Sequence, residues 1–289
     1  MKIIKAILMV ILGGLVFFLG FMIGSPVASL LGLPRPPQPS GVTTNQLLLL
    51  TLLTSVILAA ALAFISRRLA GGFLTRWLVL AFFTWIAYGV NTYFEASIFT
   101  TLSSPAIIVM YFFSSLFCAA VVGAYFRPQE RGEGFIARTK SFFKGRTALQ
   151  WTWRLLIACL AFPVAYILFG LMVKPFTYEY YAQHQAGLLA PGWGQIIPVL
   201  AVRSLLFLLA ILPVLIAWTG SRTGLFVTLG VALFLLVGGL SLLEAIWYPP
   251  IIRVAHSLEI LADSFAQAAV TVFLLVKPDK SQKGENQSS

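Results

Sequence analysis

Charged residues are scarce in this chain, and their scarcity excludes the ordinary soluble class. They make up 10% of the 289 residues, whereas 59% are hydrophobic, and the mean hydropathy is +0.92. Average globular chains are about a quarter charged and about half apolar. The composition therefore predicts a protein embedded in a lipid bilayer.

Cysteine and histidine are also scarce, which argues against metal and disulfide chemistry. Cys118 and Cys159 both lie in apolar runs, so no cysteine-rich zinc module and no disulfide framework is available. His184 and His256 form no HExxH motif and no cluster with ligand spacing. The sequence also lacks the GxxxxGK[ST] loop of nucleotide-driven motors and the GxSxG motif of serine hydrolases. We expect no metal and no other cofactor, and we assign no catalytic residue.

Long apolar runs are what the sequence has in abundance. A helix needs about 20 predominantly apolar residues to cross about 30 Å of hydrocarbon. Eight such runs are present, at about 3–25, 46–66, 76–95, 105–126, 151–173, 195–218, 224–244 and 250–276. The first run follows a basic start, as in a signal peptide, but it is longer than the usual apolar region of about 7–15 residues. We therefore expect it to be a retained helix.

Positive charges are distributed unevenly between the two sides of these spans. With a cytoplasmic N-terminus, 16 of the 20 Lys and Arg residues fall on the cytoplasmic side, and only Arg35 and Lys174 fall in segments on the other side. Cytoplasmic loops of membrane proteins carry such an excess. The sequence predicts a multi-pass protein of the plasma (inner) membrane with both termini in the cytoplasm. The net charge of +11 then requires no nucleic-acid partner.

The two halves of the chain have the same layout. A shift of 149 residues aligns spans one to four with spans five to eight without a gap, and it takes Pro26 to Pro175 and Glu95 to Glu244. Because each half holds an even number of spans, both halves would insert the same way up. The expected fold class is all-α: a polytopic membrane protein with eight transmembrane helices arranged as two parallel four-helix repeats.

This layout divides the chain into four segments: an N-terminal repeat (1–126), a basic cytoplasmic linker (127–150), a C-terminal repeat (151–276) and a disordered cytoplasmic tail (277–289). The linker mixes basic residues with Phe135, Ile136, Phe142 and Phe143. It is either an interfacial helix, with cations of residues 127–154 on anionic lipid headgroups, or a solvated linker. Both interpretations stay open, as does a partner in the form of a second copy or another membrane protein.

The last span carries an unusual number of polar side chains for a membrane helix. At about 100° per residue, five of them fall within an arc of roughly 120°: Arg253, His256, Glu259, Asp263 and Gln267. If the helix starts after Pro249, a rise of about 1.5 Å per residue places Asp263 about 20 Å deep. A charge near the membrane centre costs at least about 3 kcal/mol. This polar stripe is therefore expected to face protein or water.

Charged partners for the stripe are available at matching depths. Arg203, in span six, is expected to pair with Glu259, and Arg253 with Glu244 at the outer end of span seven. The first half has no comparable groups, because the residues at the 149-residue shift are Ser104, Ile107, Met110 and Ser114. The ionisable site therefore belongs to the C-terminal repeat.

The candidate site for substrate binding or proton relay consists of Arg203, Glu244, Arg253, His256, Glu259 and Asp263, with Glu95 and Gln267 as secondary candidates. The leading hypothesis is that a small or anionic solute is bound and translocated through an outward-facing polar cavity, coupled to protons through His256 and Asp263. Two alternatives stay open. One is an intramembrane enzyme acting on a lipid or lipid-linked substrate; the other is a non-catalytic membrane subunit whose buried charges fix helix packing.

Overall fold

The computed structural model describes residues 2–129 and 132–278, and most of this part of the chain is helical. Its helices are α1 Lys2–Leu30, α2 Thr44–Ser66, α3 Phe73–Phe99, α4 Ala106–Tyr125, α5 Phe135–Phe143, α6 Ala148–Ala182, α7 Trp193–Ala217, α8 Arg222–Glu244 and α9 Pro250–Leu275. All of these except α5 are long and apolar enough to cross a membrane. The prediction of an all-helical, polytopic membrane protein is confirmed. From residue 279 onward the predicted tail lies outside the described residues.

Polar residues mark the starts of two of these helices. Thr43 and Gln46 form a capping box at the start of α2, and Thr147 and Gln150 form another at the start of α6. In each box the threonine side chain accepts from a backbone N–H that has no partner within the helix, and the glutamine Oε1 accepts from the threonine N–H. The caps fix where the apolar runs become helical.

Glycines bring α1 into direct contact with α4. A Cβ atom at Gly20 would lie 2.6 Å from the Cα of Ser114, and one at Gly24 would lie 2.5 Å from the Cα of Met110. Small residues allow membrane helices to approach this closely. The first four helices are therefore packed without room for a cavity along this contact.

The first four helices meet the last four through α2 and α3 on one side and α7 and α8 on the other. Leu69, after α2, forms an antiparallel bridge with Trp218, after α7. Two hydrogen bonds of 2.8 Å flank the bridge: Ala70 N–H to Ala217 O, and Thr219 N–H to Arg68 O. We call the end of the molecule that holds this bridge the terminal end, because α6 begins and α9 ends there. The opposite end, where α3 and α8 end, is the far end.

Three arginines cap the last turn of α9 at the terminal end. Arg222, Arg154 and Arg146 donate to the carbonyl oxygens of Phe273, Leu274 and Leu275, in that order. The last carbonyls of a helix have no partner within it, and cations are favourable beside them. Basic residues that indicate the topology therefore also hold the end of the last helix.

The basic linker contains the short helix α5, which packs on the protein. The rings of Phe142 and Phe143 lie 5.3 Å and 4.8 Å from the ring of Trp151. Arg138 Nε donates to the carbonyl oxygen of Ile216 at 2.8 Å. Ile136 is exposed. Part of the linker, Phe135–Phe143, is helical, and its Phe142 and Phe143 pack on Trp151.

Helices α3 and α8 each contain a π-helical turn, at Trp85–Val90 and Leu235–Gly239. After the first turn the N–H of Asn91 bonds to the carbonyl of Ile86, five residues back, whereas an α-helix bonds four residues back. Both turns precede the glutamates near the ends of these helices, Glu95 and Glu244.

Candidate functional site

A cavity of about 420 Å³ lies at the far end, between α6 and α9. The end of α3, the end of α8, the start of α7 and residues 188–192 complete its wall. Most of the wall is apolar, and its members include Ile167, Leu171, Ile196, Val237, Leu242 and Ile260. Small-molecule pockets typically measure about 300–1,000 Å³ and combine an apolar wall with a few polar groups.

Polar side chains form one part of this wall: Glu95, Tyr166, Tyr181, His256 and Glu259. They lie near one another, since Tyr166 is within electrostatic range of both glutamates and of Tyr181. The sequence predicted His256, Glu259 and the secondary candidate Glu95, and the structure brings these three to one cavity. The sequence analysis did not predict Tyr166 or Tyr181 as site residues.

Arg203 pairs with Glu95, so the predicted pair of Arg203 with Glu259 is wrong. Arg203 Nη2 lies 2.8 Å from Glu95 Oε2, and Arg203 Nε donates to Asn91 Oδ1 at 2.6 Å. The reason is the packing of α7 against α3, whose π-helical turn precedes both Asn91 and Glu95. The arginine side chain is 1% exposed and the glutamate 23% exposed, so it is the carboxylate that faces the cavity.

Aromatic rings surround the rest of the Arg203 guanidinium. Its central carbon lies 4.9 Å from the ring of Phe162, 5.5 Å from Tyr166 and 5.9 Å from Phe207. Cations are attracted to the faces of aromatic rings. Within the described residues Arg203 Nη1 has no hydrogen-bond partner. The positive charge is thus held by one carboxylate, one amide oxygen and the rings, and it is not offered to the cavity.

His256 links Glu259 to Tyr181. Its Nδ1 lies 2.6 Å from Glu259 Oε2, and its Nε2 lies 2.9 Å from the Tyr181 hydroxyl. An ionised carboxylate only accepts hydrogen bonds, so Nδ1 donates to Glu259; in a neutral imidazole Nε2 then accepts from the tyrosine. All three groups line the cavity. We call this chain of hydrogen bonds the relay.

Glu244 and Arg253 do not pair with each other, contrary to the prediction. Glu244 accepts a hydrogen bond from Thr54 of α2. Arg253 instead donates to the carbonyl oxygens of Leu242 at 2.9 Å and Leu243 at 3.3 Å. Since α9 starts directly after α8, its first turn lies beside the unpaired carbonyls that end α8. Arg253 lines a separate recess, and neither residue lines the cavity.

The inner part of the polar stripe is buried in the protein. Asp263 and Gln267 are both buried. Gln267 Nε2 donates to the Ala158 carbonyl of α6 at 3.2 Å. Asp263 Oδ1 has no hydrogen-bond partner among the described residues, although the carboxylate is within electrostatic range of Glu259 and Arg203. The stripe therefore divides into an outer part on the cavity and an inner part packed in protein.

Gly170 of α6 makes room for Glu259. A Cβ atom there would lie 3.1 Å from Glu259 Oε1. The sequence holds a signal for the cavity that could have revealed it. At the 149-residue shift, three glycines of α1 fall opposite bulkier residues of α6: Gly13 opposite Phe162, Gly20 opposite Phe169, and Gly24 opposite Val173. Where α1 carries glycines beside α4, α6 therefore carries bulkier side chains at the corresponding positions.

Across the described residues, no three His, Cys, Asp or Glu side chains come close enough together to hold a metal ion. No protein-family model matches the chain, and neither a curated protein nor a solved structure shows significant similarity to it. The function therefore has to be inferred from the site itself.

Proposed function

We propose that this membrane protein binds a small solute in the far-end cavity and translocates it in exchange for, or together with, protons. The relay carries the proposal: Tyr181, His256 and Glu259 form a continuous chain of proton-exchanging groups on the cavity wall. Ionisable residues within membrane-spanning helices are rare, and those that occur often mark substrate paths or proton relays. Asp263 lies one helical turn beyond Glu259, buried and nearer the membrane centre.

The charges of the cavity favour a solute that is neutral or cationic over an anionic one. Glu95 and Glu259 both line the cavity, whereas Arg203 is buried and already neutralised by Glu95. Lys174 lies at the mouth and contacts the ring of Tyr178 at 5.4 Å. An anion inside would therefore face two carboxylates while Lys174 lies at the mouth, and like charges repel strongly where little water screens them.

We also infer that the fold is a duplication of four helices and that the cavity faces the outer side of the plasma (inner) membrane. The contacts between the halves come in matched sets at the 149-residue shift. The pair Arg203 and Glu95 corresponds to the pair Thr54 and Glu244, and Leu69 bridges its own counterpart, Trp218. Reciprocal contacts of this kind are the mark of a two-fold arrangement. The basic terminal end then lies in the cytoplasm.

The basic segment 127–154 supports a further part of this proposal, contact with anionic lipid headgroups. Arg127, Lys140 and Lys144 are not engaged in ion pairs within the described residues. Cations at the cytoplasmic surface attract anionic lipids, each contributing about 1 kcal/mol. The terminal end is thereby held at the inner leaflet.

Flux measurements in proteoliposomes test the transport proposal. The probes are ethidium, an organic cation, and carboxyfluorescein, an organic anion, each with and without an imposed pH gradient. We expect gradient-driven movement of ethidium that Glu259→Gln and His256→Ala reduce. Movement of carboxyfluorescein alone would overturn the charge assignment, and absence of gradient-driven movement of either probe would overturn translocation.

A second candidate function, an intramembrane enzyme, is favoured by one specific observation. His256 is oriented by a carboxylate at 2.6 Å on a cavity wall, as a general acid or base requires. Incubation of the purified protein with a total lipid extract, followed by mass spectrometry, distinguishes the two. An enzyme consumes a lipid and loses this activity in His256→Ala, whereas a transporter leaves the extract unchanged.

A further inference from the structure

One side of the cavity wall is formed by residues that also face outward. Leu171 and Tyr178 of α6 and Trp193 of α7 line the cavity, and each side chain is more than half exposed. In contrast, Val237, Ile252 and Glu259, on the opposite wall, are buried. The cavity is therefore open along the gap between the outer part of α6 and the start of α7.

Helices α6 and α7 touch deeper in the molecule and separate toward the far end. The rings of Phe162 and Phe207 lie 4.5 Å apart, and Arg203 lies over Phe162 and Tyr166. Beyond this contact, toward the far end, both helices line the cavity. Residues 183–192 connect the two helices, and Leu188 and Pro191 of this connection cover the cavity at the far end. A lateral opening remains below this connection.

The residues at the opening are those that membrane proteins place at the lipid headgroups. Trp193, Tyr178 and Lys174 all line the mouth. Trp and Tyr concentrate at the membrane interface, and Lys side chains extend toward the headgroups from helix ends. The opening thus lies where the headgroup layer meets the hydrocarbon, and a molecule can enter it from the bilayer.

We propose that the cavity is loaded sideways from the bilayer and that its ligand is a single-chain amphiphile with a cationic or hydroxyl-rich head. The head lies against Glu95, His256 and Glu259, which supply hydrogen-bond acceptors and negative charge. The chain lies along Ile167, Leu171 and Ile196 and leaves through the gap. This inference rests on the proposed function and names its solute class. A cavity of about 420 Å³ has the size of a pocket for one small ligand and does not enclose a two-chain phospholipid.

Photolabelling tests the ligand class. The probe is dodecylamine with a diazirine in its chain, added to the full-length protein in nanodiscs, and labelled peptides are identified by mass spectrometry. Competitors are dodecylamine, dodecyl sulfate and butylamine. We expect label on α6 and α7, competition by dodecylamine, and competition by butylamine weaker by about a hundredfold or more, since each buried methylene adds affinity. Glu259→Gln, which leaves the ion pair of Arg203 with Glu95 in place, should reduce the preference for the amine over the sulfate.

Alkylated cysteines test the lateral opening. Leu160 and Leu171 both lie exposed on α6, and eleven residues place them on the same face of the helix, but only Leu171 lines the cavity. In a Cys159→Ser background, Leu171→Cys and Leu160→Cys are each modified with a bulky maleimide. We expect the modification at 171 to slow photolabelling about tenfold and the modification at 160 to leave it unchanged.

The outcomes separate this inference from the proposed function. Equal competition by butylamine and dodecylamine, or labelling unaffected by the modification at 171, overturns the amphiphile and its lateral route while leaving a cavity transporter intact. Labelling as expected without any gradient-driven flux of ethidium overturns translocation while leaving the amphiphile site intact. Label confined to helices outside the cavity overturns the site itself.

Discussion

Arg203 and Glu95 form an ion pair that joins helices from opposite halves of the chain, with 2.8 Å between Nη2 and Oε2. The arginine is buried among three aromatic rings, and the glutamate faces the cavity. One contact therefore holds the two halves together and at the same time sets the charge that a ligand meets. Substitution of Glu95 should therefore change both the stability of the protein and its binding of a ligand.

The first prediction concerns stability. Glu95→Gln leaves the buried Arg203 charge without a counter-charge, and removal of one partner of a buried pair costs about 3–5 kcal/mol. We expect a strongly lowered unfolding temperature in detergent, measured by differential scanning fluorimetry. Adding Arg203→Met should restore most of the loss, because no unpaired charge remains. In the matched control, adding Arg203→Met to Glu259→Gln should give no gain in stability over Glu259→Gln alone. An equal gain in both double variants would disprove the assigned pair.

The second prediction concerns the relay. Tyr181→Phe removes the hydroxyl that bonds His256 Nε2 at 2.9 Å. Loss of one hydrogen bond costs about 0.5–1.5 kcal/mol, so the unfolding temperature should fall only slightly. The interrupted relay should lower proton-driven ethidium flux about tenfold or more. Tyr180→Phe is the matched control, since its neighbouring ring does not line the cavity. Equal flux in both variants would remove Tyr181 from the relay.

The third prediction concerns the space beside Glu259. Gly170→Ala places a methyl group about 3.1 Å from Oε1, which forces the carboxylate to move. Overpacking of this kind costs about 1–3 kcal/mol, and we expect weaker labelling by the dodecylamine probe. Gly194→Ala, also on a helix but with open space around it, serves as the control. A normal labelling yield in Gly170→Ala would mean that the Glu259 carboxylate does not contact the ligand.

The fourth prediction concerns the tight contact between α1 and α4. Gly20→Ala sets a methyl group 2.6 Å from the Cα of Ser114, and backbone atoms cannot move aside as a flexible side chain can. We expect a loss of about 1–3 kcal/mol or more in the free energy of unfolding. Chemical denaturation in mixed micelles measures it, again with Gly194→Ala as the control. An unchanged transition would show that α1 does not pack as described.

The fifth prediction concerns orientation. Gln183, at the far end, and Ser141, on α5 at the terminal end, are both exposed. With single cysteines at these positions and Cys159 replaced by Ser, a membrane-impermeant maleimide should label Gln183→Cys in intact cells. It should label Ser141→Cys only after the cells are permeabilised. The reverse labelling pattern would mean that the cavity opens on the cytoplasmic side of the membrane.

The positions of the membrane helices could be predicted from the sequence because hydropathy depends only on local composition. The polar face of α9 could be predicted for a similar reason, since helical periodicity alone places His256 and Glu259 together. Tyr181 was missed because the apolar run ends near residue 173, whereas α6 continues to Ala182 through polar and aromatic residues. Its bond to His256 lies in this continuation.

The ion pairs could not be predicted from the sequence. The position of a residue along its helix gives its depth, but the neighbouring helix that its side chain faces depends on how the helices pack. Arg203 was placed at the correct level but assigned to the wrong neighbour. Choosing between Glu95 and Glu259 requires knowing how α7 sits between α3 and α9. Arg253 donates to the unpaired carbonyls at the end of α8, whereas the Glu244 carboxylate faces Thr54 of α2.

The π-helical turn in α3 determines where Glu95 points. Such a turn adds one residue to an otherwise α-helical segment, and one residue corresponds to about 100° of rotation and about 1.5 Å of rise. Without it, Glu95 would lie about a quarter of a turn around the helix from its present direction. The turn at Leu235–Gly239 has the same consequence for Glu244 in α8. A single inserted residue in each of these two helices thus aims its acidic side chain at the other half of the molecule, Glu95 at Arg203 and Glu244 at Thr54.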